Sequence, residues 1–195
     1  MTPKSSTEKR AGFRNWLVLP ALVLVIFAFD QFTKYLIRSN LAVQQVIAPI
    51  PALSHLFTLT YVTNTGAAFG LFPDRGLFFV VVAILVSLGI ILYFRHIPDN
   101  EWLLKLSLAM QLGGALGNLV DRLRLGYVVD FVDFRAWPVF NFADTFIVVG
   151  VGLLVYRFLF HSDSFVPTEG AGPQPATHMH SSSDEFDYPS GDRDS

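Results

Sequence analysis

Two aspartates, Asp130 in Val128-Val129-Asp130-Phe131 and Asp144 in Phe142-Ala143-Asp144-Thr145, sit among residues suited to a membrane or a buried core. Neither has a neighbouring cation in sequence. Two carboxyls brought together in a poorly solvated pocket cannot both ionise cheaply, so they tend to share one proton. One then acts as a base toward water while the other, as an acid, hydrogen-bonds a peptide carbonyl, which is metal-free amide hydrolysis. A loop containing Trp137-Pro138 could fold back to bring Asp130 over the start of the apolar run that carries Asp144. Asp144 also has a purely structural explanation as an acid in the first turn of a helix, favoured there by ~0.3–1 kcal/mol.

Further polar residues interrupt apolar surroundings. Asp30 and Lys34 are four apart and can pair on one helix face. Asp121 is followed by Arg122, which could hold a loop carbonyl or a lipid phosphate. Asn64, Asn118 and Asn141 complete the set, and the run Gly113-Gly114-Ala115-Leu116-Gly117 has the small-residue spacing that lets membrane helices approach closely, as does Gly66-Ala67-Ala68-Phe69-Gly70. The chain has no cysteine, so disulfides, thiolate metal sites and cysteine nucleophiles are excluded. His178 and His180 lie in a polar tail without further ligands, and neither a metal nor a cofactor is expected.

The elements that must hold these groups follow from composition. Of 195 residues, 52% are hydrophobic, 19 are Phe and only 15% are charged, which marks a chain not built for water alone. Four apolar runs approach the ~20 residues needed to cross a bilayer as a helix; they cover about 16–37, 76–94, 102–120 and 139–160, the third interrupted by Lys105 and Gln111. The first run could be read as a signal peptide, but Phe29-Asp30-Gln31-Phe32 follows its apolar core where a small-residue cleavage site should stand. The fold expected is an all-α polytopic membrane protein of four transmembrane helices, with a basic cytoplasmic N-terminus over 1–15 (Lys4, Lys9, Arg10, Arg14) under the positive-inside tendency and a membrane domain over 16–161. Both termini and the 95–100 turn then lie in the cytoplasm, and 38–75 and 121–138 lie outside. Within the outer segment, Phe57, Leu59 and Tyr61 alternate with threonines, so a small extracytoplasmic β-sheet is expected about 38–75. From 162 to 195 the composition turns to Ser, Pro, Gly, Asp and His, predicting a disordered polar tail.

On this topology Asp30, Lys34, Asn64, Asn118, Asp121, Arg122, Asp130, Asp133, Asn141 and Asp144 all gather at the outer side. Ionisable groups at membrane depth cost on the order of 2.5–3.5 kcal/mol even on the lenient insertion scale, so they face the protein interior and have partners. A net charge of −2 without a basic face argues against nucleic acid as a partner. A proton-coupled transporter is the rival from another class; it requires acids at mid-depth and an open route to both sides, whereas the second run offers no polar group but Ser87. A structural assembly subunit, with replaceable acids, is a third possibility.

Five segments in this order resemble the lipoprotein signal peptidase family, also called signal peptidase II: Asp30-Gln31-Phe32-Thr33-Lys34, Asn64-Thr65-Gly66-Ala67-Ala68-Phe69, Gly117-Asn118-Leu119-Val120-Asp121-Arg122, Val128-Val129-Asp130-Phe131 and Phe140-Asn141-Phe142-Ala143-Asp144. The Gly-x-Gly-Asp signature of presenilin-like proteases is missing. The resemblance implies a monomeric aspartic endopeptidase of the bacterial cytoplasmic (inner) membrane, with its active site near the outer face. It implies Asp130 and Asp144 as the catalytic pair, and Asp30, Lys34, Asn64, Asn118, Asp121, Arg122 and Asn141 as residues that support or line the site. It further implies a diacylglyceryl-prolipoprotein substrate presented from membrane lipid, cut before the lipidated cysteine, and inhibition by globomycin-like peptides. Asp133 lies outside the family's core pattern. The span between Asp130 and Asp144 is shorter here than in several relatives, and the polar tail has no family counterpart.

Overall fold

In the computed structural model the described residues are 6–66, 76–98 and 100–160. The expected tail from 162, with His178 and His180, and the 67–70 part of the second small-residue run lie outside them.

Four helices carry the fold: α1 Ser6–Asn40, α2 Gly76–Phe94, α3 Trp102–Leu125 and α4 Phe142–Phe160. Each is long and apolar enough to cross a membrane, α1 through its Leu19–Asn40 portion. Their mean hydropathies differ for a physical reason. α3 has the lowest, 1.3, and half of it is buried in protein, whereas α2 at 3.0 and α4 at 1.8 are mostly unburied. A helix enclosed by other helices can carry polar groups that a lipid-facing helix cannot. Exposed side chains such as Leu24, Phe32, Leu77, Leu85, Val148 and Leu159 present the apolar outer surface.

α3 is the central element, packing against α1, α2 and α4. Its small residues make this possible: a side chain at Gly113 would strike Ile26 of α1, and one at Gly114 would meet the Ala143 carbonyl of α4. The helix runs past the expected end at 120 to Leu125 and stops at Gly126. There a left-handed φ of 82° turns the chain and the Gly126 N–H caps the Arg122 carbonyl. At the opposite end, Arg157 of α4 grips Glu101 before α3 through two hydrogen bonds of 2.7 Å.

Three antiparallel strands lie at the end of the bundle where α3 finishes and α4 begins: β1 Val46–Ile47, β2 Thr58–Asn64 and β3 Val128–Asp133, in the order β1-β2-β3. β2 is the strand expected from the alternating threonines. β3 was not expected: it puts Asp130 on a strand within the segment 121–138. Its run of valines and Phe131 pairs with β2 in a register that sets Val62 opposite Asp130 and Asn64 opposite Val128. Beyond β3 the chain folds back, and Phe140 bridges to Val132 before α4 starts. The sheet is seated on α1 by an apolar cluster of Ile37, Leu41, Tyr61, Val129, Phe131 and Val132, which leaves Asp130 anchored between two core residues.

Candidate active site

Asp144 is placed by the first turn of α4. Asn141, immediately before that helix, accepts the Asp144 backbone N–H on Oδ1 at 3.0 Å, and Asp144 Oδ2 accepts the Asn141 backbone N–H at 3.2 Å. This is a reciprocal capping arrangement, which satisfies two backbone donors at the helix end. The structural explanation for Asp144 therefore holds, but it uses only one face of the carboxyl. Oδ1 accepts Nδ2 of Asn118 from α3 at 2.7 Å.

Asp130 is held by β3 and is 2% exposed. Its Oδ2 accepts Nδ2 of Asn64 on β2 at 2.8 Å, and its Oδ1 accepts Nδ2 of Asn141 at 2.7 Å. One asparagine thus touches both aspartates, through its side chain to Asp130 and through its backbone to Asp144. Burial, and then the charge of Asp144, push the Asp130 carboxyl up to about 7, against the opposing hydrogen bonds from Asn64 and Asn141 and the charge of Lys34. All four groups bonded to the two carboxyls are N–H donors. A proton carried by the pair must therefore occupy a lone pair that these donors leave free.

Behind the pair lies a buried charged cluster. Lys34 Nζ reaches Asp30 at 2.8 Å, Asp121 at 3.0 Å and Asn118 Oδ1 at 2.8 Å, so the three donors of its ammonium have three acceptors. The expected Asp30–Lys34 pair is present, but it is part of a larger unit. Asp30 Oδ1 accepts the Ala143 N–H at the start of α4, and Asp121 Oδ2 accepts the Val129 N–H of β3. The two carboxylates therefore fix the elements that carry Asp144 and Asp130. Gln31, not singled out in the sequence, donates to Asp121 Oδ1 at 3.0 Å and to the Gly117 carbonyl at 3.2 Å. Its position beside Asp30, within the first of the five segments, was the available signal. Gly117 lies so close to Asp30 Oδ2 that a methyl group there would overlap it.

Arg122 touches that cluster at the Asn118 backbone carbonyl, to which its Nη1 donates at a long 3.5 Å. Its Nη2 donates to the Gly66 carbonyl at 3.2 Å and its guanidinium lies 5.2 Å from the centre of the Phe79 ring. Its Nε is buried with no acceptor among the described residues. Asp133 stands apart from the acid pair: it accepts the Thr58 and Thr60 hydroxyls and the Arg135 N–H. An apolar cavity of about 720 Å³, lined by α1, α2 and α3 with Leu19, Val23, Ile90 and Leu112 among its walls, contains none of these acids.

Residues 22–160 match the family model for signal peptidase II. The lipoprotein signal peptidase of Moorella thermoacetica (strain ATCC 39073 / JCM 9320) is 51% identical over 138 residues, covering 71% of this chain and 90% of that protein. That of Caldanaerobacter subterraneus subsp. tengcongensis is 50% identical over 143 residues, covering 72% and 96%. Among solved structures, a bacterial membrane enzyme determined at 2.3 Å by the in meso method superposes with a TM-score of 0.69 at 28% identity, covering 79% of this chain and 94% of the other.

Proposed function

The chain belongs to the signal peptidase II family, and from that premise we propose that it is an aspartic endopeptidase in which Asp130 and Asp144 cleave a prolipoprotein. The observation that carries this reading is the bridging of the two aspartates by Asn141, in a setting that supplies only N–H donors. Asp130, buried and raised toward neutrality, holds the proton and donates it in a hydrogen bond to the scissile carbonyl. Asp144, half-buried, serves as the base of the pair.

The reaction then balances in two steps. A water oxygen attacks the carbonyl carbon as Asp144 takes the water's proton and Asp130 gives its own to the carbonyl oxygen, forming a neutral tetrahedral diol. Collapse breaks the C–N bond. The amine nitrogen receives the proton from Asp144, and one diol hydroxyl returns a proton to Asp130. No metal or covalent enzyme intermediate is required.

The substrate proposed is a diacylglyceryl-prolipoprotein, cut just before the lipidated cysteine and presented from membrane lipid, a reading supported by the names of the relatives, lipoprotein signal peptidases. Asn64, Asn118, Asn141, Asp30, Lys34, Asp121 and Arg122 support or line the site, and globomycin-like peptides are expected to compete for it. The enzyme acts as a monomer in the bacterial inner membrane, with its termini in the cytoplasm and the acid pair toward the outer face. The deciding experiment uses purified enzyme in detergent with lipid-modified and unmodified forms of one prolipoprotein. Cleavage of the modified form, lost in Asp130→Asn and in Asp144→Asn, is expected; equal cleavage of both forms removes the lipid requirement, and turnover by either variant removes the aspartate pair.

A further inference from the structure

Building on the aspartate-pair reading, we propose that Lys34 is a positioning residue for the cleavage reaction: by holding the carbonyl oxygen of Asn118, it forces the Asn118 N–H group onto Asp144. An asparagine amide has nearly the same shape in its two orientations, and the choice between them decides whether Asp144 meets a donor or an acceptor. Lys34 removes the choice. Its Nζ lies 2.8 Å from Asn118 Oδ1 and has donors only, so a reversed amide would set N–H against N–H. Lys34 is 2% exposed and Asn118 8%, which leaves no room for solvent to relieve such a contact.

The second amide is fixed the same way. Asn141 Oδ1 accepts the backbone N–H of Asp144, a donor that cannot reverse, so Asn141 Nδ2 must face Asp130 and Asn118 Oδ1. The direction of both amides is thus set by groups of one hydrogen-bonding sense, an ammonium at one end and a backbone N–H at the other. Lys34 is itself immobilised by Asp30 on α1 and Asp121 on α3. With its three donors engaged, the ammonium has none left for substrate, which separates positioning from substrate binding.

A lysine that merely neutralised Asp30 and Asp121 would leave the sense of the Asn118 amide immaterial, so the test must read polarity. Asn118→Asp keeps the shape of the side chain and leaves Lys34 an acceptor, but turns an oxygen toward Asp144. With lipid-modified prolipoprotein in detergent at pH 7, kcat is expected to fall roughly 100-fold, the cost of losing one aimed donor. KM is expected to stay near wild type, and the melting temperature to fall at pH 7, where two carboxyls face each other, and to recover as the pH is lowered. As the pH is lowered to about 5, the introduced carboxyl gains a proton it can donate, so the ratio of variant to wild-type kcat is expected to rise roughly tenfold. Lys34→Met, which frees the Asn118 amide to reverse, is expected to lower kcat more than it raises KM. If that variant does not fold, Asn118→Asp alone decides. A wild-type kcat for Asn118→Asp, or a loss equal at every pH, overturns the positioning role. Asp130→Asn and Asp144→Asn are assayed alongside: turnover by either sinks the aspartate pair, whereas two inactive variants beside a pH-independent Asn118→Asp sink only the role of Lys34.

Discussion

Asn141 and Asp144 exchange two hydrogen bonds across the first turn of α4, each accepting the other's backbone N–H, at 3.0 and 3.2 Å. The cap that starts the helix is therefore also the mount for the half-buried acid. Asn141 additionally ties that mount to β3 through its 2.7 Å bond to Asp130. Local helix chemistry and site geometry depend on one side chain.

Those two duties separate by substitution. Asn141→Ser retains a cap oxygen for the Asp144 N–H but cannot reach Asp130, while Asn141→Ala loses both. The expected outcome is a melting temperature near wild type for Ser and a further loss on the order of 1 kcal/mol for Ala, typical of a removed cap. Activity on lipid-modified prolipoprotein should fall in both. Comparable activity in Asn141→Ser and wild type would show that the bridge to Asp130 is dispensable.

The position of Asp130 near pH 7 gives a second prediction, with a sign. If Asp130 must donate a proton, kcat/KM should decline about tenfold per unit once the pH passes roughly 7, since only the protonated fraction is active. Stability should move the same way. The carboxyl ionises near 3.9 in an unfolded chain and near 7 in the fold, so the folded form holds a proton that the unfolded form releases between those values. This group's contribution is thus fullest below about pH 4 and is lost as the pH rises through 7. Asp130→Asn should remove that slope from the melting temperature measured against pH. A kcat/KM profile still flat at pH 9 would assign the proton elsewhere.

The helices and the clustering of acids at one end were legible because both follow from hydropathy and crossing order. β2 was legible from its alternating threonines. β3 was not, because Asp130 and Asp133 interrupt its apolar run, one on each face, and six residues give no clear period. The signal that remained was its content of β-branched residues. The Asn141–Asp144 cap was half visible, as an acid in a first turn; the three-residue spacing from Asn141 would have completed it. Contacts such as Lys34 to Asn118 join residues 84 apart and depend on how α1 and α3 pack, so no local pattern could disclose them.

That packing can be probed at Gly117, where an added methyl would overlap Asp30 Oδ2 and displace it from Lys34 and from the Ala143 N–H. Gly117→Ala should cost roughly 1–3 kcal/mol, as overpacking does, and should reduce activity along with stability. Gly152 on the same bundle has nothing within 4 Å of an added methyl. Gly152→Ala should therefore be neutral or slightly stabilising, as expected of a helical glycine. Equal melting temperatures for the two variants would mean that α1 and α3 do not meet this closely.

Asp133 tests whether burial alone makes an acid functional here. It is only 8% exposed, as Asn118 is, yet its partners are the hydroxyls of Thr58 and Thr60 and the Arg135 N–H, all at the far end of β2 and β3 from Asn64. Its ion pair with Arg135 spans 3.9 Å and Arg135 is 51% exposed, so that pair adds little. Asp133→Ala strands two buried hydroxyls and a backbone donor, and the melting temperature should drop by an amount corresponding to about 1–3 kcal/mol. The kcat of the protein that remains folded should equal wild type, because no bond links Asp133 to Asp130 or Asp144 among the described residues. A kcat loss matching that of Asp130→Asn would instead place Asp133 in the reaction and require a different pairing of acids.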